Sequence, residues 1–116
     1  VETIVPFTVA EHFTPPVLTV SGNTPMGAAI RHAITLVSDR KRTYREHGLQ
    51  YFRPWIFMIT DGGPTDEWQP VTDLIRRGEA DKAFTFFAVG VKEARMDILR
   101  QLGSAKPPLP LDGLKF

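Results

Sequence analysis

The stretch that most constrains the fold of this chain is Trp55-Ile56-Phe57-Met58-Ile59-Thr60, a continuous apolar run rich in aromatic and β-branched residues. Pro54 closes it on one side and Asp61-Gly62-Gly63-Pro64 on the other, so its length is that of a strand rather than a helix. Because polar residues do not alternate within it, the run predicts a strand covered on both faces, as in the parallel sheet of an α/β protein. Phe84 to Val89, ended by Gly90, repeats the pattern. Between and around these strands the apolar spacing switches to helical. Thr24 suits an N-cap and Pro25 the first helical position, where its missing N–H costs nothing. Met26, Ala29, Ile30, Ala33, Ile34 and Val37 then recur in steps of three and four, which predicts one buried helix face, and Gly48 is a natural stop. A second helix is predicted from Pro70 to Ala83 with Val71, Leu74 and Ile75 inward, and a third from Met96 to Leu102, stopped by Gly103. At the ends of the chain the signals are extended. Val1 to Val9 predicts an edge strand, since Pro6 cannot donate to a ladder. Val17 to Val20 follows as a short extended piece after Thr14-Pro15-Pro16, and a final strand is predicted around Leu114 to Phe116. Alternation of this kind predicts an α/β fold, a three-layer sandwich around a mostly parallel sheet.

Composition narrows the function. With 116 residues the chain holds one domain at most, and 42% hydrophobic with 23% charged residues is the balance of a globular chain. Fourteen Lys+Arg against 13 Asp+Glu give no electrostatic reason to expect nucleic acid or an anionic membrane as partner. The Arg40-Lys41-Arg42 and Arg45 cluster is interleaved with Asp39 and Glu46 and reads as a solvated helix end. Without cysteine there is no disulfide framework, thiolate zinc site or cysteine nucleophile. His12, His32 and His47 stand apart, which argues against zinc, and His32 lies off the apolar stripe, toward solvent. No apolar run spans a bilayer, and Val1 to Ala10 lacks the basic start of a signal peptide. The expectation is a cytoplasmic chain and, with no initiator Met, a piece of a longer product.

The chemistry concentrates at two places. Ligands of open α/β sheets bind beyond the carboxyl ends of the strands, and Asp61 sits there, directly after the apolar run. Asp-Gly is equally a turn signal, so Asp61 reads either as a site carboxylate or as a turn residue. Ser21-Gly22-Asn23-Thr24-Pro25-Met26-Gly27 is the other place: it brings hydroxyls and backbone N–H groups to a helix N-terminus, where an oxygen-ligated ion or an anion can sit. The glycines have the outer spacing of a phosphate loop, but no Lys-Ser/Thr follows, so a nucleotide loop is rejected. Asp66 and Glu67 are either a second carboxylate set beside Asp61 or first-turn acids favoured by a helix dipole. Trp68 reads as a packing residue beside the turn. No serine has a nucleophile-elbow setting, and no acid, base and nucleophile converge.

Taken together, Ser21-Gly22-Asn23-Thr24-Pro25-Met26-Gly27, the stretch Arg53 to Trp68 containing Thr60-Asp61-Gly62-Gly63-Pro64-Thr65-Asp66-Glu67-Trp68, and Phe86-Phe87-Ala88-Val89-Gly90-Val91 resemble a von Willebrand factor type A (VWA) domain. The resemblance is to the small bacterial cytoplasmic branch that includes the tellurium-resistance protein TerY and its YegL-like relatives, and it extends over residues 1–116. It implies a metal-ion-dependent adhesion site: a hard divalent cation, Mg²⁺ or Mn²⁺, held by oxygen ligands, with an acidic residue of a protein partner completing its coordination. Thr24 and Asp61 match the site's threonine and aspartate; Ser21, Asn23 and Asp66 are weaker candidates beside them. The family's Asp-x-Ser-x-Ser element does not occur in this sequence. One carboxylate and one hydroxyl hold Mg²⁺ poorly, because the ion demands near-octahedral oxygen coordination and sheds water reluctantly.

The function the resemblance implies is a non-enzymatic, metal-dependent protein-interaction module, a scaffold in a bacterial stress-response system of the tellurium-resistance kind. The alternative from another class is a Mg-dependent phosphohydrolase using the strand-end aspartates Asp61 or Asp66. The resemblance also implies that a central strand and its neighbours lie outside residues 1–116, making this a partial VWA domain. Uncovering the apolar side chains packed on such a strand forfeits roughly 10 kcal/mol, comparable to a domain's whole stability of about 5–15 kcal/mol. The expectation is that the sheet is completed by a strand-swapped or complementing chain, or that Val1 to Val9 is displaced from its edge position.

Overall fold

The computed structural model describes residues 1–18, 25–61, 63–91 and 94–111. Its elements run α1 (Met26–Glu46), β1 (Trp55–Thr60), α2 (Val71–Ala80), β2 (Thr85–Val91), α3 (Met96–Gln101) and β3 (Leu109–Leu111), with a short 3-10 turn at Ala10–His12 before them. The three strands form one parallel sheet in the order β1-β2-β3. Parallel neighbours need a crossover, and α2 and α3 supply the two that are required. The fold is α/β with a parallel sheet.

β1 occupies the predicted residues. Trp55 pairs with Thr85 and Thr60 with Gly90, so β2 starts one residue later than its apolar signal and runs through Gly90 to Val91. The core lies on the face of the sheet that carries Ile56, Phe86 and Ala88. Against it pack Met26 and Ile30 of α1, Val71 and Ile75 of α2, and Leu99 and Leu102 at α3, with Trp68 at the edge of the same cluster. Trp68 is thus the packing residue its position suggests.

The opposite face corrects one expectation. Trp55, Phe57 and Ile59 are 68%, 56% and 64% exposed, whereas Ile56 is buried. The described residues place their helices on one side of the sheet, so every second residue of the unbroken apolar run faces outward. There Phe57 stacks on Phe87 with ring centroids 4.7 Å apart, and Trp55 meets both rings edge-on.

Several boundaries and roles also shift. Val1 to Val9 forms no strand; it runs along α1, where Thr3 Oγ1 and His32 Nε2 are 2.8 Å apart and the Arg40 guanidinium lies over the Phe7 ring. His32 is half-buried and shares an exposed hydrogen bond with Thr3. Residues 17 and 18 carry no strand, while 19–20 and the predicted strand at 114–116 lie outside the described residues. The last described strand comes earlier, at Leu109–Leu111. Within α1, Ala29 is exposed and Gly27 takes its place in the buried stripe. α2 is shorter than the predicted Pro70 to Ala83, because Asp81 caps it and Lys82 turns into the left-handed region at φ 59°.

Gly48 ends α1 as predicted, for a geometric reason. Its φ of 66° favours a residue without Cβ, and it lets Leu49 N–H reach the Tyr44 carbonyl at 2.8 Å and Gly48 N–H reach that of Arg45 at 3.1 Å. That pair of bonds is the Schellman motif, which satisfies carbonyls the helix leaves open.

Candidate functional site

The carboxyl end of β1 delivers Asp61 to the rim of the sheet, with its side chain exposed. Its backbone carbonyl accepts the N–H of Arg95 at 3.2 Å, which ties the loop after β1 to the loop after β2. Its Oδ1 accepts the N–H of Gly63 at 3.3 Å, a long bond of the Asx-turn kind. Asp61 therefore shapes the turn, and among the described residues its exposed carboxylate accepts from Gly63 with lone pairs to spare. Arg95 does not neutralise it, because that guanidinium makes a two-pronged contact with Asp97 at 3.1 and 3.0 Å.

Asp66 has a different occupation. Its two oxygens accept the N–H groups of Gly27 and Ala28, each at 3.0 Å. These are among the donors that the first turn of a helix leaves without intrahelical partners, so Asp66 caps α1 from 39 and 38 residues away in the chain. Asp66 is thus no first-turn acid: it precedes α2, whose first turn carries Asp73, and serves the start of α1 instead. Pro25 rather than Thr24 stands at the N-cap position, with its carbonyl accepting the Ala29 N–H at 2.9 Å. Proline has no side-chain acceptor, which is why a carboxylate from elsewhere is needed. Gly27 permits the approach: a Cβ there would lie 2.8 Å from the Glu67 carbonyl oxygen and 3.2 Å from Asp66 Oδ2.

Burial alone would raise the Asp66 pKa, but the N–H groups of Gly27 and Ala28 and the charge of Arg31 outweigh it and hold the carboxyl below its usual value. Its stabilising contribution is therefore complete above the unfolded carboxyl's value of about 3.9 and is lost as pH falls through the lower folded value. Replacing Asp66 by Asn, which offers one acceptor for two donors, is expected to cost about 1–2 kcal/mol at neutral pH. Chemical denaturation of both proteins between pH 3 and 7 checks this. The gap between them should be constant above pH 5 and close as the acid range is entered.

Of the predicted site residues, Thr24, Ser21 and Asn23 lie outside the described residues. Among the described residues no three His, Asp or Glu side chains gather as a metal-binding group. Asp61 is a hard oxygen donor of the kind Mg²⁺ and Mn²⁺ take, and Asp66 is already engaged by α1. What is described is thus one exposed carboxylate and not a coordination shell. The sequence reading missed two polar residues that organise the core at the opposite, amino end of the strands. Glu79 of α2 accepts the N–H of Phe86 at 3.1 Å and that of Ala105 at 2.8 Å, as well as the Ser104 hydroxyl at 3.2 Å. Arg53 donates to the Phe84 carbonyl at 3.0 and 2.8 Å and to the Glu79 carbonyl at 3.0 Å. Neither has a sequence signature, because their partners are backbone atoms that only the fold brings near.

Comparison with curated proteins and with solved structures gives no match. The family profile described as the von Willebrand factor type A domain matches residues 17–109, from before α1 to the first residue of β3. With a parallel α/β sheet, an aspartate at the carboxyl end of its apolar strand and a match over most of its length, the chain belongs to the von Willebrand factor type A domain family.

Proposed function

We propose that this chain is a non-enzymatic protein-interaction module whose binding end is the rim around Asp61, with Thr24 as a second oxygen ligand and Ser21 and Asn23 beside it. A divalent cation, Mg²⁺ or Mn²⁺, would sit there and accept an acidic residue from the partner. The observation that carries the reading is the state of Asp61. Its carbonyl accepts the Arg95 N–H, yet its carboxylate is exposed and, among the described residues, holds one long bond to Gly63. A carboxylate fixed in place and left open is arranged to hold something other than the fold. Family membership supports the interaction role in general terms. No helix among the described residues is long and apolar enough to cross a membrane. A cytoplasmic place in a bacterial stress-response assembly of the tellurium-resistance kind is the setting proposed.

The experiment is capture of partners on the immobilised chain in Mg²⁺ and in EDTA, with Asp61→Ala as the matched control. Partners retained in Mg²⁺ and released both by EDTA and by Asp61→Ala are the expected result. Retention that ignores both treatments would remove Asp61 from the binding end.

A further inference from the structure

Two segments meet beyond the carboxyl end of β1. One runs from Asp61 to Asp66; the other is the first turn of α1, which Thr24 precedes in the chain. The first segment is anchored at its start, where the Asp61 carbonyl accepts the Arg95 N–H. Pro64 lies inside it and fixes one of the few backbone angles that separate the two aspartates. Its far end is held by Asp66, whose Oδ1 accepts the N–H of Gly27 and whose Oδ2 accepts that of Ala28, both at 3.0 Å. A helix that needs only a cap takes it from a serine, threonine or aspartate at its own N-cap position. Here Pro25 stands there, and the acceptor belongs to the strand-end loop instead.

Backbone packing reinforces the carboxylate. A Cβ on Gly27 would lie 2.8 Å from the Glu67 carbonyl oxygen and 3.2 Å from the Trp68 Cα, so residues 67 and 68 press directly on the first turn of α1. Glycine is a poor helix former, and this close approach accounts for its presence in a helix. Met26 and Trp68, the chain neighbours of the contact, are both buried in the core cluster. We propose that Asp66 is a positioning residue of the binding end: by clamping the start of α1 it holds the loop that carries Asp61 in place and sets where that loop lies relative to the segment carrying Thr24. Its part is not that of a ligand, because each oxygen already accepts from α1. The proposal rests on the reading of the Asp61 rim as the binding end.

The test compares wild type, Asp66→Asn and Gly27→Ala by ¹⁵N relaxation of the metal-free chain. The reporter is the Gly63 amide, which donates to Asp61 Oδ1, and the control is the Phe86 amide at the other end of the strands. In both variants the Gly63 order parameter is expected to fall from the rigid range, about 0.85, to below about 0.6, with Phe86 unchanged. Gly27→Ala separates the clamp from a plain helix cap and decides the matter alone where Asp66→Asn does not fold. It keeps the carboxylate and adds a better helix former, so an Asp66 that merely stabilised α1 would leave Gly63 rigid in that variant. Gly63 unchanged in either folded variant, or a fall that Phe86 shares, would overturn the proposal. Calorimetric titration with Mn²⁺ is the second readout, and both variants should bind at least threefold more weakly than wild type although Asp61 is intact. Equal Mn²⁺ affinity in all three proteins would overturn the proposal and leave the Asp61 reading standing. A wild type that binds no Mn²⁺ counts against the Asp61 reading alone, since Gly63 is followed without metal.

Discussion

Truncating Phe86 to alanine is expected to cost about 3–5 kcal/mol, the usual range for a fully buried phenylalanine. Phe86 has no exposed surface and sits at the middle of the core cluster, facing α2 and the end of α3 from the central strand of the sheet. The loss combines the transfer free energy of the ring with the cavity left behind, since the surrounding Ile75, Val71 and Leu102 are themselves fully buried and have little room to close in. A whole domain is stable by only about 5–15 kcal/mol. The variant should therefore lose most of its cooperative unfolding transition, seen by circular dichroism in urea. Phe57→Ala is the comparison: this ring stacks on Phe87 on the open face and is 56% exposed, so its loss should cost far less. Equal costs for the two would show that the core does not lie on the Ile56 and Phe86 side of the sheet.

The second large effect is expected at Glu79. One carboxylate there accepts from the backbone of β2 and from Ser104 and Ala105 in the segment after α3, so three parts of the chain meet on a single side chain. Glu79→Ala leaves the Phe86 and Ala105 N–H groups without that acceptor, and is expected to cost about 2–4 kcal/mol. Glu79→Gln separates charge from geometry. Its amide must turn an NH₂ group toward either the Ala105 N–H or the donors at the other oxygen, so it should recover only part of the loss. Denaturation midpoints of the three proteins check the order: wild type, then Gln, then Ala. Full recovery by Gln would mean that the bonds at one of the two carboxylate oxygens contribute nothing.

These two residues also show what was legible in the sequence. Phe86 was, because strand and helix patterns depend on local period, and a buried strand announces itself by an unbroken apolar run. The same run misled about coverage. Trp55, Phe57 and Ile59 are as apolar as the residues between them, and nothing local distinguishes the side that meets α1 and α2 from the side that meets solvent. Val1 to Val9 failed for a related reason: β propensity sets a preference for extended backbone but does not supply a partner strand, and the segment lies along α1 instead. Glu79 was invisible, since its partners are main-chain donors in β2 and beyond α3. At the rim, Asp61 was legible from its place after the strand. The role of Asp66 was not, because Pro25 leaves α1 uncapped and the replacement acceptor comes from the far side of β1. The basic residues of α1 were read as solvated, and Arg40 and Lys41 are instead half-buried among aromatic rings that the fold assembles from three separate segments.

The most direct measurement of the central claim is a calorimetric titration of the chain with Mn²⁺, repeated on Asp61→Ala and Thr24→Ala. A carboxylate contributes Coulomb attraction to a divalent ion that a hydroxyl lacks, so the two substitutions should not be equivalent. Weak saturable binding by the wild type is expected, reduced by Thr24→Ala and abolished by Asp61→Ala. Absence of binding by the wild type, or an effect of Asp61→Ala equal to or smaller than that of Thr24→Ala, would contradict the assignment of Asp61 as the principal charged residue of the binding end.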